Sequence, residues 1–119
     1  MHVPLTGWAR ITQELLLADQ GRSALLTQAT ARVLTTNAVP AGGGNTYAMG
    51  WVVGSSTPGA RWVGHDGNNT VNHARATVYL DAGVAYLIVT NASDISGGVS
   101  GAALTAMQTR LITFWNTGR

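Results

Sequence analysis

The hydrophobic period of this chain changes once, at Pro40-Ala41-Gly42-Gly43-Gly44-Asn45, and that change decides what it can fold into. Before the break, Trp8, Ile11, Leu15 and Ala18 recur at the spacing of one helix face. Thr6 is placed to cap that helix and Gly21 to end it. A second helix is expected over residues 28–34, with Thr27 as its cap, so the helical part spans 5–36. The break at 40–45 reads as a Gly-rich linker. Beyond it the period becomes that of strands. Residues 46–53 are aromatic and β-branched, 54–60 read as a turn, 61–65 as a short strand, and Asp66-Gly67-Asn68-Asn69 as a turn. Residues 72–80 alternate, with His73, Arg75, Thr77 and Tyr79 on one face and Ala74, Ala76, Val78 and Leu80 on the other. After a turn at 81–83, the mostly apolar run 84–91 reads as a strand buried on both faces. The last segment, 97–117, carries a helical stripe of Leu104, Met107, Leu111, Phe114 and Trp115 and stops at Gly118. The expectation is one α+β domain over residues 1–119. An antiparallel sheet of about four strands in 46–91 packs against N-terminal and C-terminal helices.

Composition narrows the chemistry. The 119 residues contain no Cys and no Lys. That removes thiol nucleophiles, disulfides, thiolate zinc sites, Schiff bases, a Walker-type phosphate loop and any Ser-Lys dyad. The seven cations are all Arg and are scattered, so no stripe tracks a nucleic-acid backbone. Only 10% of residues are charged, against about 25% in an average domain, and a surface so poor in charge tends to self-associate. A homo-oligomer, most simply a dimer, is expected. No apolar run approaches the roughly 20 residues that cross a bilayer. The chain also lacks a basic segment leading into a short apolar one, so it reads as cytoplasmic as expressed.

The catalytic types left are His, Asp, Glu, Tyr and Ser. His65 and His73 flank a turn and, on adjacent antiparallel strands, fall within one or two registers of each other. With Asp66 they form a candidate catalytic set. Two imidazoles and a carboxylate also make a common zinc set that leaves a position open for water, with His2 as a weaker extra ligand. The competing structural reading makes His65 and His73 ordinary strand residues. Asn68 and Asn69 are candidate substrate hydrogen-bonding groups or turn formers, and Arg75 is a candidate anion binder or a surface cation. Ser55 and Ser56 lie in a turn with no base within sequence reach, so neither is expected to act as a nucleophile.

Two stretches carry a family likeness. Trp62-Val63-Gly64-His65-Asp66-Gly67-Asn68-Asn69-Thr70, followed by a strand, a turn and Ala85-Tyr86-Leu87-Ile88-Val89-Thr90-Asn91, resembles the C-terminal third of serine β-lactamase-like hydrolases. These comprise the class C β-lactamases, D-Ala-D-Ala carboxypeptidases and related esterases. Leu5-Thr6-Gly7-Trp8-Ala9-Arg10 resembles the helix after that family's second motif, and Tyr47-Ala48-Met49-Gly50-Trp51 resembles the entry to its C-terminal sheet. The resemblance implies a truncated β-lactamase-like fold in which the His65-x-Gly67 strand walls an active-site cleft. It does not carry over the serine mechanism, because Ser-x-x-Lys is absent and none of Tyr47, Tyr79 and Tyr86 begins a Tyr-x-Asn. It implies an open sheet edge along 84–91 and an uncovered face on the last helix, and hence a dimer that pairs edge to edge or swaps that helix. The functional expectation is a small hydrolase of activated esters, lactones or phosphoesters working through metal- or His-activated water. The alternative is a non-catalytic remnant that dimerises or complements a missing N-terminal part.

Overall fold

A computed structural model describes residues 3–36, 38–56, 59–96 and 98–118, with the Ser56 side chain left aside. Its elements run α1 (Leu5–Asp19), α2 (Gln28–Thr36), β1 (Val39–Gly42), β2 (Asn45–Ala48), β3 (Trp51–Ser56), β4 (Ala60–Asn68), β5 (His73–Tyr79), β6 (Val84–Thr90) and α3 (Gly98–Thr117). The strands form one sheet in the order β1-β2-β3-β4-β5-β6. Sequential neighbours joined by short turns run antiparallel, so the class is α+β as expected. No described helix is long and apolar enough to cross a membrane.

The sheet has six strands where four were expected, and glycine stereochemistry explains the difference. The supposed linker at 40–45 is a hairpin: Gly42, Gly43 and Gly44 all take positive φ, which lets β1 fold back on β2 with a register shift between Pro40 and Gly42. The expected strand 46–53 is divided by a two-residue turn in which Met49 (φ 47) and Gly50 (φ 96) both adopt the left-handed geometry of tight hairpins. The turn expected from residue 54 begins later, because β3 continues to Ser56. Across the β3–β4 ladder, Gly54 pairs with Trp62, and a Cβ at position 54 would come 2.3 Å from the indole, so only glycine leaves room for that ring. At the first helix, Pro4 rather than Thr6 precedes the helical residues and no side chain caps them. Thr27 does cap α2, its Oγ1 accepting the Thr30 amide at 3.1 Å.

Chain contacts divide the protein into two compact units. The first comprises residues 1–65 and 77–85. Its core is Leu15 and Ala18 of α1, Ala31 of α2, Val63 of β4, and Val78 and Leu80, with Trp51, Val53 and Ala85 half-buried around them. Within this unit Arg61 is bonded to Asp19 Oδ1 and Oδ2 at 3.1 and 3.0 Å and to Asp81 Oδ1 at 2.7 Å. The second unit comprises residues 66–76 and 86–119. Its buried residues include His73, Ala76, Tyr86, Ile88, Ser100 and Leu104. β6 is half-buried rather than buried on both faces: only Tyr86 and Ile88 are buried, and Val89 is exposed. It is the last strand of the sheet, with β5 as its one neighbour.

Candidate functional site

The second unit holds a chain of hydrogen-bonded polar groups. β4 persists through Asn68, so Asp66 lies inside a strand rather than in a turn. The turn falls three positions later, where Asn69 Oδ1 accepts the Asn72 amide at 2.6 Å and Asn68 Oδ1 accepts the Thr70 amide at 2.7 Å. Both asparagines thus serve the turn, and Asn68 Oδ1 also accepts the Ser93 hydroxyl at 2.9 Å. A surface depression of about 350 Å³ is lined by Gly67, Asn68, Asn69, Asn72 and Ala74. Ala74 alternates with His73 along β5, so its side chain points away from the His73 imidazole.

On the polar face of β5, which by its residue types could be either solvated or a site, His73 and Thr77 are both buried. His73 is 5% exposed. It is satisfied there because Nε2 meets Asp66 Oδ2 at 3.2 Å and Nδ1 meets the Ser100 hydroxyl at 2.8 Å. Arg75 grips the same carboxylate at both oxygens, Nε to Oδ1 at 2.8 Å and Nη2 to Oδ2 at 2.7 Å, and turns its remaining nitrogen to Thr105 Oγ1 at 2.8 Å. Burial, the largest single influence on Asp66, works to raise its pKa. The hydrogen bonds and charge of Arg75, joined by those of His73, outweigh it and hold the carboxyl below its ordinary value. Arg75 is raised in return, first by its hydrogen bonds to Asp66. At the start of α3, Asp94 accepts the Gly98 amide at 3.1 Å, and its carboxyl is lowered, first by the Ser96 hydroxyl.

An ionised Asp66 is only an acceptor, so the tautomer that fits it carries the imidazole proton on Nε2. Nδ1 then presents a lone pair, and the Ser100 hydroxyl donates to it. Ser100 Oγ also lies 3.2 Å from Ser93 Oγ and 3.4 Å from Asp94 Oδ1.

His65 belongs to the first unit and has a different partner. Tyr47 sits opposite Val52, and Val52 opposite Gly64, so β3 brings the Tyr47 ring within reach of the residue after that glycine. The Tyr47 hydroxyl lies 3.0 Å from His65 Nε2, and the rings meet edge to face with centroids 5.7 Å apart. Both residues are reached by solvent.

Of the residues expected to act together, Asp66, His73 and Arg75 are assembled, while His65 pairs with Tyr47. Among the described residues no group of three or more His, Cys, Asp or Glu is spaced to hold a metal, and His2 lies outside the described residues. Sequence reasoning missed Ser100 and Tyr47 as partners of the two histidines. Ser100 stands 27 positions from His73 in a stretch of small residues, and Tyr47 stands 18 from His65. The one usable signal was Gly98-Val99-Ser100-Gly101, small residues around a serine at a helix start, and no strand leads directly into it as a nucleophile turn requires. No protein-family model, curated protein or solved structure matches the chain.

Proposed function

We propose that the chain is a β-lactamase-like hydrolase acting on activated esters, lactones or phosphoesters, with His65 as the base that activates water. The observation that carries this reading is the accessible pair of Tyr47 and His65, 3.0 Å apart. The phenol donates to Nε2, and a water bonded to the phenol oxygen loses its proton along that path as its oxygen bonds to the acyl or phosphoryl centre; the bond to the leaving oxygen breaks, and the proton taken up by His65 passes back to that oxygen. No Ser-Lys pair is needed, and the strand involved is the His65-x-Gly67 strand on which the family likeness rests. The buried His73 is out of reach of bulk water and serves a different role. His65→Ala is expected to slow hydrolysis of p-nitrophenyl esters at least about 100-fold, the usual contribution of a positioned base, with Tyr47→Phe intermediate. Undiminished turnover in His65→Ala ends the reading.

A specific observation also favours a homodimer formed through β6. Edge strands are normally blunted by charge, proline, bulges or shortness. At one edge of the sheet β1 has all but charge: it is four residues long, contains Pro40 and carries a register shift. At the other, β6 is seven residues of Val84-Ala-Tyr-Leu-Ile-Val-Thr90 with no charge and no proline. A second copy of this strand pairs with it antiparallel about a two-fold axis. Light scattering at micromolar concentration is expected to give twice the 12.4 kDa chain mass, and Val89→Lys to shift the species toward monomer. A monodisperse wild-type monomer eliminates the dimer and leaves a separately supplied strand as the occupant of that edge.

A further inference from the structure

Ser100, His73 and Asp66 stand in the order nucleophile, base and orienting carboxylate, at 2.8 and 3.2 Å. Catalytic triads are recognised by such geometry rather than by sequence order, and here the imidazole is used with its two nitrogens exchanged relative to the usual arrangement. The exchange costs nothing chemically, since whichever nitrogen faces the carboxylate keeps the proton and the other accepts one. Two further features favour attack by Ser100. It lies in the first turn of the 20-residue helix α3, whose positive end stabilises an oxygen gaining negative charge. Arg75, clamped on both oxygens of Asp66, locks the carboxylate that orients the ring.

We infer that Ser100 is a self-acylating nucleophile, taking one acyl group per chain from small, uncharged, activated esters. Ser100 Oγ bonds to the acyl carbon, the ester C–O bond breaks, and the serine proton passes to His73 Nδ1 and on to the leaving oxygen. Acyl-Ser100 and an alcohol result, and no other reactant is consumed. The expected substrate is small because Ser100 is 5% exposed and is reached when the first turn of α3 opens locally. It is apolar because the chain around it shows solvent Val99 and Ile95, 78% and 92% exposed. The same enclosure keeps water from the product, so the acyl group stays. This activity is separate from the turnover assigned to His65: it is stoichiometric and uses none of the same residues.

The test is brief treatment of the full chain with p-nitrophenyl acetate, acid quench, and peptide mass mapping. The expected result is one acetyl group on Ser100 in the native protein and none on Ser100 in urea-unfolded protein, where the relay does not exist. His73→Gln is expected to slow acetylation at least about 100-fold, while His65→Ala leaves it unchanged and reduces only turnover. An acetyl group on Ser93 or Ser96 instead, none at all in a sample with a native circular dichroism spectrum, or equal labelling of native and unfolded chain overturns the inference. Because the unfolded wild-type chain supplies the comparison, the result stands even where His73→Gln does not fold.

Discussion

Replacing Arg61 with methionine is expected to cost about 3 kcal/mol of unfolding free energy, read as a lower urea midpoint at unchanged slope. Arg61 is the hub of the first unit's polar network. Its guanidinium spans Asp19 at the end of α1 and Asp81 after β5, while its own backbone amide donates to Asp81 Oδ2 at 2.6 Å. The Asp19 side chain is 6% exposed, so methionine would strand a carboxylate away from water, and breaking a buried pair from one side costs about 3–5 kcal/mol. The lower end applies because the arginine itself is 42% exposed and water can partly replace it. The guanidinium is raised far above its ordinary value, first by its bonds to Asp19 and then to Asp81. Arg61→Lys is expected to restore little, since one ammonium cannot occupy both carboxylates with a fork of fixed geometry. Adding Asp19→Ala to Arg61→Met should cost less than the sum of the two single changes. Asp81 has its pKa lowered, first by the Arg61 backbone amide and then by the side chain. Its contribution is therefore present above the ordinary carboxylate range and is lost as pH falls through the depressed value, and the methionine variant should show less of that acid dependence. A loss under about 1 kcal/mol would make the triad an ordinary surface ion pair.

Leu104→Ala is expected to cost about 2–5 kcal/mol and to loosen α3. Of the 20 residues of α3, only Ser100 and Leu104 are buried, and Leu104 is among the largest fully buried side chains of the protein. Leu104 is therefore the helix's buried apolar anchor, and the side-chain bonds beside it include Ser100 to His73 and Thr105 to Arg75. Trimming the leucine leaves a cavity that these short polar contacts hold open rather than collapse. The measurement is thermal unfolding followed by far-ultraviolet circular dichroism, together with proteolysis within residues 98–117. Met107, exposed on the same helix, is the internal control, and its change to Ala should fall within about 0.5 kcal/mol. Equal effects at 104 and 107 would show that α3 is not anchored as described.

The split fate of the two histidines shows how far residue types and spacing carry a site. Their presence on two neighbouring strands was legible, and so was the cluster of polar types at 65–75. Their partners were not. His73 reaches Ser100 across 27 residues, and His65 reaches Tyr47 across 18, through contacts that no local period encodes. Shifting the turn from 66–69 to 69–72 was enough to place Asp66 inside β4, against His73 and Arg75. Turn residues locate such a bend only to within a few positions. Whether the polar face of β5 is solvated or buried was open for a related reason: alternation marks which residues share a face, while hydrogen-bond partners decide whether a polar face can be buried.

The sequence by itself determined the α+β class, the positions of the three helices and the antiparallel order of strands. Each of these follows from local periodicity and from short connections that leave few topologies open. Only the tertiary structure decided that glycines 42–44 make a hairpin instead of a linker, that Asp66 lies inside β4, and that Ser100 faces His73. Those outcomes depend on backbone handedness at single residues and on packing between segments far apart in the chain, and neither is written in the spacing of hydrophobic residues.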